Sequence, residues 1–262
     1  MSGIAAPALV VVTGAGSGIG RATALAFAQR GATAVCVDIN EAAAKETATM
    51  CGGESTGRVC DVGDAAAVRD LTADVESQLG PVEVLVNNAG VGLGGDFLDH
   101  SPEDWAWIRS VNLDGVVNGC HAFGRAMMER RRGQVVNIAS GLGYVPSRRT
   151  AEYCATKAAV MMLTECLRSD WARHGVGVSV ICPGVINTPL LEASRLGGVS
   201  AREHDRFLWL FEHGHSPQIV AGAIVRAAAN NHGVVPVGLE SHLGYYAMKL
   251  LPERLRGLVA RL

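Results

Sequence analysis

Three observations in the 262-residue chain predict an α/β fold built on a doubly wound parallel sheet with helices on both faces. Short β-branched runs, apolar on both faces, alternate with stretches of helical composition. The first run empties into a glycine-rich turn, and small, polar or reactive residue types gather just beyond the ends of the later runs. A strand covered on both faces by crossover helices reads as a continuous apolar run rather than an alternating one, and repeated βα units with right-handed crossovers stack into a parallel sheet. With 48% apolar residues the chain can bury a large core, and its length suits one α/β unit without a separate substrate domain. Residues 1–262 are therefore read as a single domain.

The first strand runs from about Ala8 to Thr13 and enters Thr13-Gly14-Ala15-Gly16-Ser17-Gly18-Ile19-Gly20, followed by a helical stretch to Arg30. Glycines let such a turn close sharply and bring backbone against a phosphate, while the next helix offers unpaired N–H groups and a positive dipole end. The sixth position from Gly14 is Ile19, so the spacing is Gly-x-x-x-Gly-x-Gly and not the strict dinucleotide pattern. The second strand, Thr33 to Val37, is followed by Asp38. An acid there can accept both hydroxyls of an adenosine ribose or cap the helix starting near Glu41; the glycine loop before it favours the ribose. A carboxylate repels a 2′-phosphate, and neither Ser17 nor Ile39 is an arginine, so NAD is expected over NADP.

The alternation continues with a helix near Glu41 to Met50, a strand near Gly57 to Cys60 followed by Asp61 and Val62, a helix from Ala65 to Leu79 and a strand from Val82 to Val86. Asp61 is placed to bond an adenine amino group. Asn87-Asn88-Ala89-Gly90 then forms a turn at a strand's C-terminal end, where doubly wound sheets bind ligands. One helix is expected from Pro102 to Arg130, carrying Asn112, whose amide could hold a water by disturbing the local backbone ladder. A strand from Val135 to Ile138 delivers Ser140, and the helix after Thr150 carries Tyr153 and Lys157. The strand Val176 to Cys182 ends in Pro183-Gly184-Val185-Ile186-Asn187-Thr188, after which the alternation lapses until Ser216. A final strand is expected at Val234 to Val237.

Tyr153 and Lys157 stand four apart, one turn above each other on a helix face. A phenol ordinarily titrates near pH ~10, and a neighbouring ammonium favours the phenolate, which would draw Tyr153 toward working pH. Ser140 can hold a carbonyl or alcohol oxygen by its hydroxyl.

Composition excludes several classes. A formal charge of −2 leaves no broad basic surface for nucleic acid. No run reaches the ~18 apolar residues of a membrane span, and the opening residues lack the positive flank of a signal peptide. Seven cysteines without a C-x-x-C pair read as reduced thiols, which points to the cytoplasm. Eight histidines show no metal-ligand spacing, and no metal is expected.

Taken together, Thr13-Gly14-x-x-x-Gly18-x-Gly20, Asn87-Asn88-Ala89-Gly90, Asn112, Ser140, Tyr153-x-x-x-Lys157 and Pro183-Gly184 with Thr188 resemble the classical short-chain dehydrogenase/reductase family over residues 8 to 236. The resemblance implies a seven-stranded Rossmann-type sheet in the order 3-2-1-4-5-6-7, a nicotinamide cofactor along its C-terminal edge and a homodimer or homotetramer. It makes Tyr153 the acid/base, gives Lys157 the nicotinamide ribose, lets Ser140 orient the substrate oxygen and has Asn112 support a proton-relay water. The implied cofactor contacts are Gly14, Ser17, Gly18, Ile19, Gly20, Asp38, Ile39, Asp61, Val62, Asn88, Ala89, Gly90, Tyr153, Lys157, Pro183, Gly184, Ile186 and Thr188.

The expected reaction is NAD-dependent interconversion of a secondary alcohol and a ketone. The alternatives are an NADPH-dependent reductase of an acyl thioester, with Arg148 and Arg149 meeting a coenzyme phosphate, and a non-catalytic NADH sensor. Val91, Leu93, Leu142, Tyr144, Val145, Leu190, Leu191, Phe207 and Phe211 are expected to make a pocket for a hydrophobic small molecule of lipid, terpenoid or steroid character. Residues 188–216 are read as a lid hinged at Gly197-Gly198, the Phe207 to Phe211 run facing the substrate or packing on core or subunit. In the extension 241–262, Leu255, Leu258, Val259 and Leu262 recur at helical spacing beside Lys249, Arg254, Arg256 and Arg261. That pattern predicts an amphipathic helix after Pro252, seated on a membrane surface, on its own domain or across a subunit interface.

Overall fold

The computed structural model describes residues 8–259; Arg261 and Leu262 of the expected tail helix lie outside it. Seven parallel strands form the sheet: β1 (Leu9–Thr13), β2 (Thr33–Asp38), β3 (Thr56–Val59), β4 (Val84–Asn87), β5 (Gly133–Ile138), β6 (Val176–Pro183) and β7 (Val234–Val237). Their order is 3-2-1-4-5-6-7. β1 lies inside the sheet, with Val11 opposite Val35 of β2 on one side and Leu85 of β4 on the other.

Alternation along β1 explains why all five of its residues are buried. Val10 and Val12 face one core with Phe27 and Ile224, from α1 (Gly18–Ala28) and α8 (Pro217–Asn230). Leu9 and Val11 face the other core. It contains Val75 of α3 (Ala65–Leu79), Phe123 and Met127 of α5 (Gly115–Glu129) and Trp171 of α6 (Ala151–Ala172). A strand buried on both faces needs apolar side chains at every position, which is the pattern the sequence carries. Between β2 and β3, α2 (Glu41–Cys51) starts at Asn40, whose side chain accepts the Ala43 N–H.

Three segments differ from expectation. The single helix expected from Pro102 to Arg130 is two helices, α4 (Pro102–Arg109) and α5, joined by a π-helical turn over Ser110–Asp114 that carries Asn112. α4 starts at a capping box, in which Ser101 Oγ accepts the Asp104 N–H while the Asp104 carboxylate accepts the Ser101 N–H. The expected irregular lid contains α7 (Ala201–Glu212), started by a second capping box of Ser200 and Glu203. The lid also contains Arg195–Leu196, a two-residue strand paired in parallel with Leu93–Gly94. After β7 the chain forms α9 (Leu239–Leu250), which the sequence reading lacked, and then α10 (Glu253–Val259) after Pro252. Among the described residues no helix is long and apolar enough to cross a membrane.

Candidate active site

The ends of β1 and β4 are stitched together by side chains. The Thr13 hydroxyl accepts the N–H groups of Asn88 (3.0 Å) and Ala89 (3.1 Å), and Asn88 Nδ2 donates to the carbonyls of Thr13 (2.8 Å) and Gly14 (3.2 Å). This brings the glycine turn against Asn88-Ala89-Gly90. Gly14, at φ +62°, leaves no room for a side chain: a Cβ there would lie 2.8 Å from Ala89 Cα. A Cβ at Gly20 would lie 2.0 Å from the Gly14 carbonyl, so Gly20 permits the turn to close on α1. The Ser17 side chain makes no capping bond, which leaves the first N–H groups of α1 free for an anion.

Across this turn opens a cleft of about 460 Å³. At one end stand Asp38 and Ile39, with Cys60, Asp61 and Val62 beside them; Ser17, Gly18 and Ile19 form the middle, and Ser140, Tyr153 and Lys157 line the far end. Asp38 Oδ2 accepts the Gly16 N–H at 2.8 Å and Oδ1 the Asn40 N–H at 2.9 Å. An elongated cleft with a bare backbone cradle at its middle and a carboxylate at one end fits an adenine dinucleotide. Gly90, Pro183, Gly184, Ile186 and Thr188 complete its wall. Gly20 is not part of the wall; it lies beneath the turn.

At the inner end, Ser140 follows β5 and its Oγ accepts the Leu142 N–H at 3.1 Å. Tyr153 lies in the first turn of α6. Lys157 Nζ, one turn on, donates to the Ile138 carbonyl at 3.0 Å and stands 5.7 Å from the Tyr153 ring centre. The expectation that Lys157 draws the phenol toward neutral pH does not hold in this state. Desolvation pushes Tyr153 up to about 12, opposed by the Ser140 hydroxyl, and the same cause pulls Lys157 down to about 8. The ammonium is held by a backbone carbonyl rather than by the phenol.

Asn112 is fully buried and is not in the cleft wall. Its Oδ1 accepts the Val91 N–H (2.8 Å) and its Nδ2 donates to the Val91 carbonyl (2.9 Å), so the amide holds the loop after β4.

Residues 8–197 match the short chain dehydrogenase family. The chain belongs to this family. It is 41% identical to a protein of Mycobacterium tuberculosis named probable oxidoreductase EphD, over 95% of this chain but 44% of that one. The chain thus spans less than half the length of that relative. A short-chain dehydrogenase/reductase from Burkholderia phymatum, solved with NAD, superposes with a TM-score of 0.87 at 31% identity, covering 98% of this chain and 96% of the other. A gluconate 5-dehydrogenase from Burkholderia cenocepacia, solved with NADP and tartrate, superposes with a TM-score of 0.76 at 32% identity over 88% and 93% of the two chains.

In this family member the pocket beyond Tyr153 differs from the expected list. Leu190 and Phe211 line the cleft with Val91, whereas Leu142, Tyr144, Val145, Leu191 and Phe207 do not. Tyr144 points instead at α9, its hydroxyl donating to the Ser241 carbonyl at 2.8 Å and its ring set edge-on to Tyr245. In their place stand Trp107, Val111, Pro189 and Ala193. Trp107 and Val111 are spaced four apart across the π turn, so their helical spacing was the available signal. Arg195 stacks on Trp107 at 4.0 Å from the ring centre and pairs with Asp104 at 2.8 Å.

Arg149 is engaged within the protein. It pairs with Glu203 and Asp96 and donates to the Gly198 carbonyl, which takes it away from a coenzyme phosphate. Among the described residues no cluster of three or more His, Cys, Asp or Glu side chains could hold a metal.

Proposed function

We propose that the protein is an NAD(H)-dependent oxidoreductase that interconverts a secondary alcohol and a ketone on an apolar substrate, with Tyr153 as acid/base. The observation that carries the reading is the convergence of Ser140, Tyr153 and Lys157 at the inner end of a cleft whose other end is Asp38. When bound there, the nicotinamide dinucleotide would supply the redox carrier for the carbinol carbon.

The remaining work falls to side chains of this chain. The substrate oxygen sits between the Ser140 and Tyr153 hydroxyls. In reduction Tyr153 gives that oxygen its proton, and in oxidation it takes the proton from the alcohol. The resting phenol holds its proton tightly, which suits the acid; the base requires the Lys157 ammonium to offset the developing phenolate. Asn112 acts by fixing Val91 at the cleft rim.

An apolar substrate is supported by the walls: Val91, Trp107, Val111, Leu190, Ala193 and Phe211 carry no charge, and the polar groups at the inner end are those assigned to chemistry and cofactor. Such walls also exclude water from the reacting oxygen. We assign the site to a homodimer or homotetramer in the cytoplasm. A panel of secondary alcohols graded by apolar size, followed as NADH formation, tests the reading. Catalytic efficiency should rise with apolar size, and efficiency flat or falling across the panel would refute the apolar pocket.

A further inference from the structure

One pair of titratable groups stands next to the catalytic tyrosine and is used by nothing above. Glu152, the residue before Tyr153, is fully buried, and its Oε1 lies 2.9 Å from Nδ1 of His100, whose side chain is 2% exposed. The other ring nitrogen, Nε2, lies 3.3 Å from the Gly94 carbonyl. Oε2 of Glu152 has no hydrogen-bond partner among the described residues.

The chemistry of these contacts constrains the protons. A carbonyl only accepts, so Nε2 must carry a hydrogen. A carboxylate also only accepts, so Nδ1 must carry one as well. The pair therefore holds one proton more than a neutral imidazole beside a carboxylate. The Glu152 and Gly94 contacts both favour the charged ring over the neutral one, which puts that proton on the imidazole. A buried carboxylate with one oxygen unsatisfied also needs a cation beside it.

We infer that His100 is a buried imidazolium paired with Glu152, and that this pair positions Tyr153 by tying the first turn of α6 to the ribbon that opens the lid. Its placement supports the role. His100 lies between the loop after β4 and α4, against Gly94 and the glycines that follow the two strands of the Leu93–Gly94 and Arg195–Leu196 ribbon. A Cβ at Gly95 would lie 2.8 Å from His100 Nε2, and one at Gly197 3.2 Å from Cδ2. The charged groups around it are Glu152 from α6 and Asp104 from α4, the latter taken up by Arg195 of the ribbon, with Arg149 bound to Asp96 and Glu203 nearby. Although burial works against a charged ring, the Glu152 and Gly94 contacts raise His100 overall above the ordinary histidine value. Loss of a ring proton at alkaline pH leaves the remaining hydrogen on Nδ1 facing the carboxylate and turns the Nε2 lone pair against the Gly94 carbonyl, which loosens the tie between the ribbon and the turn that carries Tyr153.

The positioning role rests on the reading of Tyr153 given above; the protonation state does not, and nitrogen-15 NMR of selectively labelled histidine reads it without any substrate. With the signal assigned by its loss in His100→Gln, His100 should show two protonated nitrogens at neutral pH and titrate above the ordinary histidine value. In Glu152→Gln the amide N–H can donate to a neutral Nδ1, so the midpoint should fall. A neutral ring at pH 6.5 in wild type, or a midpoint unmoved in Glu152→Gln, overturns the inference.

Turnover tests the second half. Wild-type kcat for reduction should fall roughly tenfold or more as His100 loses its proton. Glu152→Gln should lack that fall, and Glu152→Ala should be low at every pH. An alkaline profile identical in wild type and Glu152→Gln overturns the positioning role, whereas activity surviving in Tyr153→Phe would instead remove the assignment of the acid/base.

Discussion

Replacing Asp38 with alanine removes a carboxylate that is already organised by two backbone N–H groups, Gly16 at 2.8 Å and Asn40 at 2.9 Å. An adenosine ribose bound in the cleft would present its hydroxyls to the lone pairs left over. Each hydrogen bond to a charged group contributes about 1.5–3 kcal/mol, so losing one raises KM for NAD roughly ten- to a hundredfold. On the proposed reading the same carboxylate would oppose NADP. A phosphate charge about 4 Å from it costs about 4 kcal/mol per unit charge at an effective dielectric near 20, roughly a thousandfold preference for NAD.

The cation nearest to offsetting that repulsion is Arg21, but its guanidinium donates to the Gly16 carbonyl at 2.6 Å and is paired with Glu46. Ile39, by contrast, is 71% exposed at the mouth of the cleft, where an introduced guanidinium meets no obstacle. The double change Asp38→Ala with Ile39→Arg should therefore reverse the preference, while Asp38→Ala alone, which weakens NAD and at the same time lifts the repulsion of NADP, should largely erase it. The assay is initial rates with NADH and NADPH on one ketone for the three proteins. Equal kcat/KM for the two cofactors in the wild type would refute the reasoning.

Tyr153→Phe should abolish turnover, by about two orders of magnitude or more, while NADH affinity stays within a few fold, measured by fluorescence titration. Trp107→Ala should raise KM for the larger apolar alcohols and leave KM for NAD unchanged, because the ring lines the cleft beyond Tyr153; an effect confined to the cofactor would contradict that placement. Burial pushes the thiols of Cys120 and Cys182 up to about 12, so above pH ~9 the unfolded chain has released protons that the fold retains. Each thiol then lowers stability by about 1.4 kcal/mol per pH unit. Lys157, pulled down to about 8, acts in the opposite sense between about 8 and 10.5. The melting temperature should accordingly fall steeply once the pH passes about 10.5, and Cys120→Ala should lessen that fall.

The parts of this protein legible in the sequence are those where one residue type answers to one local constraint. β1 is buried on both faces and so is apolar throughout, and α3 is bounded by Asp64, which caps it, and by Gly80 at φ +96°. Of the cradle glycines, Gly20 is legible for the same reason, since the Gly14 carbonyl six residues earlier requires it, and Gly14 is legible through its positive φ in a tight turn, although the backbone that crowds it, at Ala89, is far away in the chain. The pocket was not legible because it is assembled from segments far apart in the chain. Trp107 and Val111 share a face by their spacing of four, but nothing in the sequence says that this face meets the cleft, because the segments it faces there, around Pro189 and Ala193, come some eighty residues later. Tyr144 looked like a pocket residue from its position beside Ser140. It faces the other way because α9 supplies Ser241, 97 residues later, as a partner for its hydroxyl.

In the segment 188–216, expected as a lid, a local reading names the glycines without naming the contacts that hold them. Gly197-Gly198 looks like a free hinge, and Gly198 at φ +60° does adopt a conformation that favours glycine. Yet the Gly197 N–H donates to the Gly94 carbonyl at 2.9 Å, the Arg195 N–H to the Gly92 carbonyl at 3.1 Å, and the Gly198 carbonyl receives Arg149. Arg149 itself sits at φ +61°, a strained conformation for a side chain of that size, and is held there by its pairing with Glu203 of α7 and Asp96 of the loop after β4. The glycines thus serve close approach: a Cβ at Gly198 would lie 2.4 Å from Asp99 Oδ2 and one at Gly197 3.2 Å from His100 Cδ2. Opening this segment as one body would break the ribbon, the Arg149 pairs and the Arg195–Asp104 pair together. Motion that admits substrate is then best placed beyond these ties, in α7 and the turn that returns to Ser216.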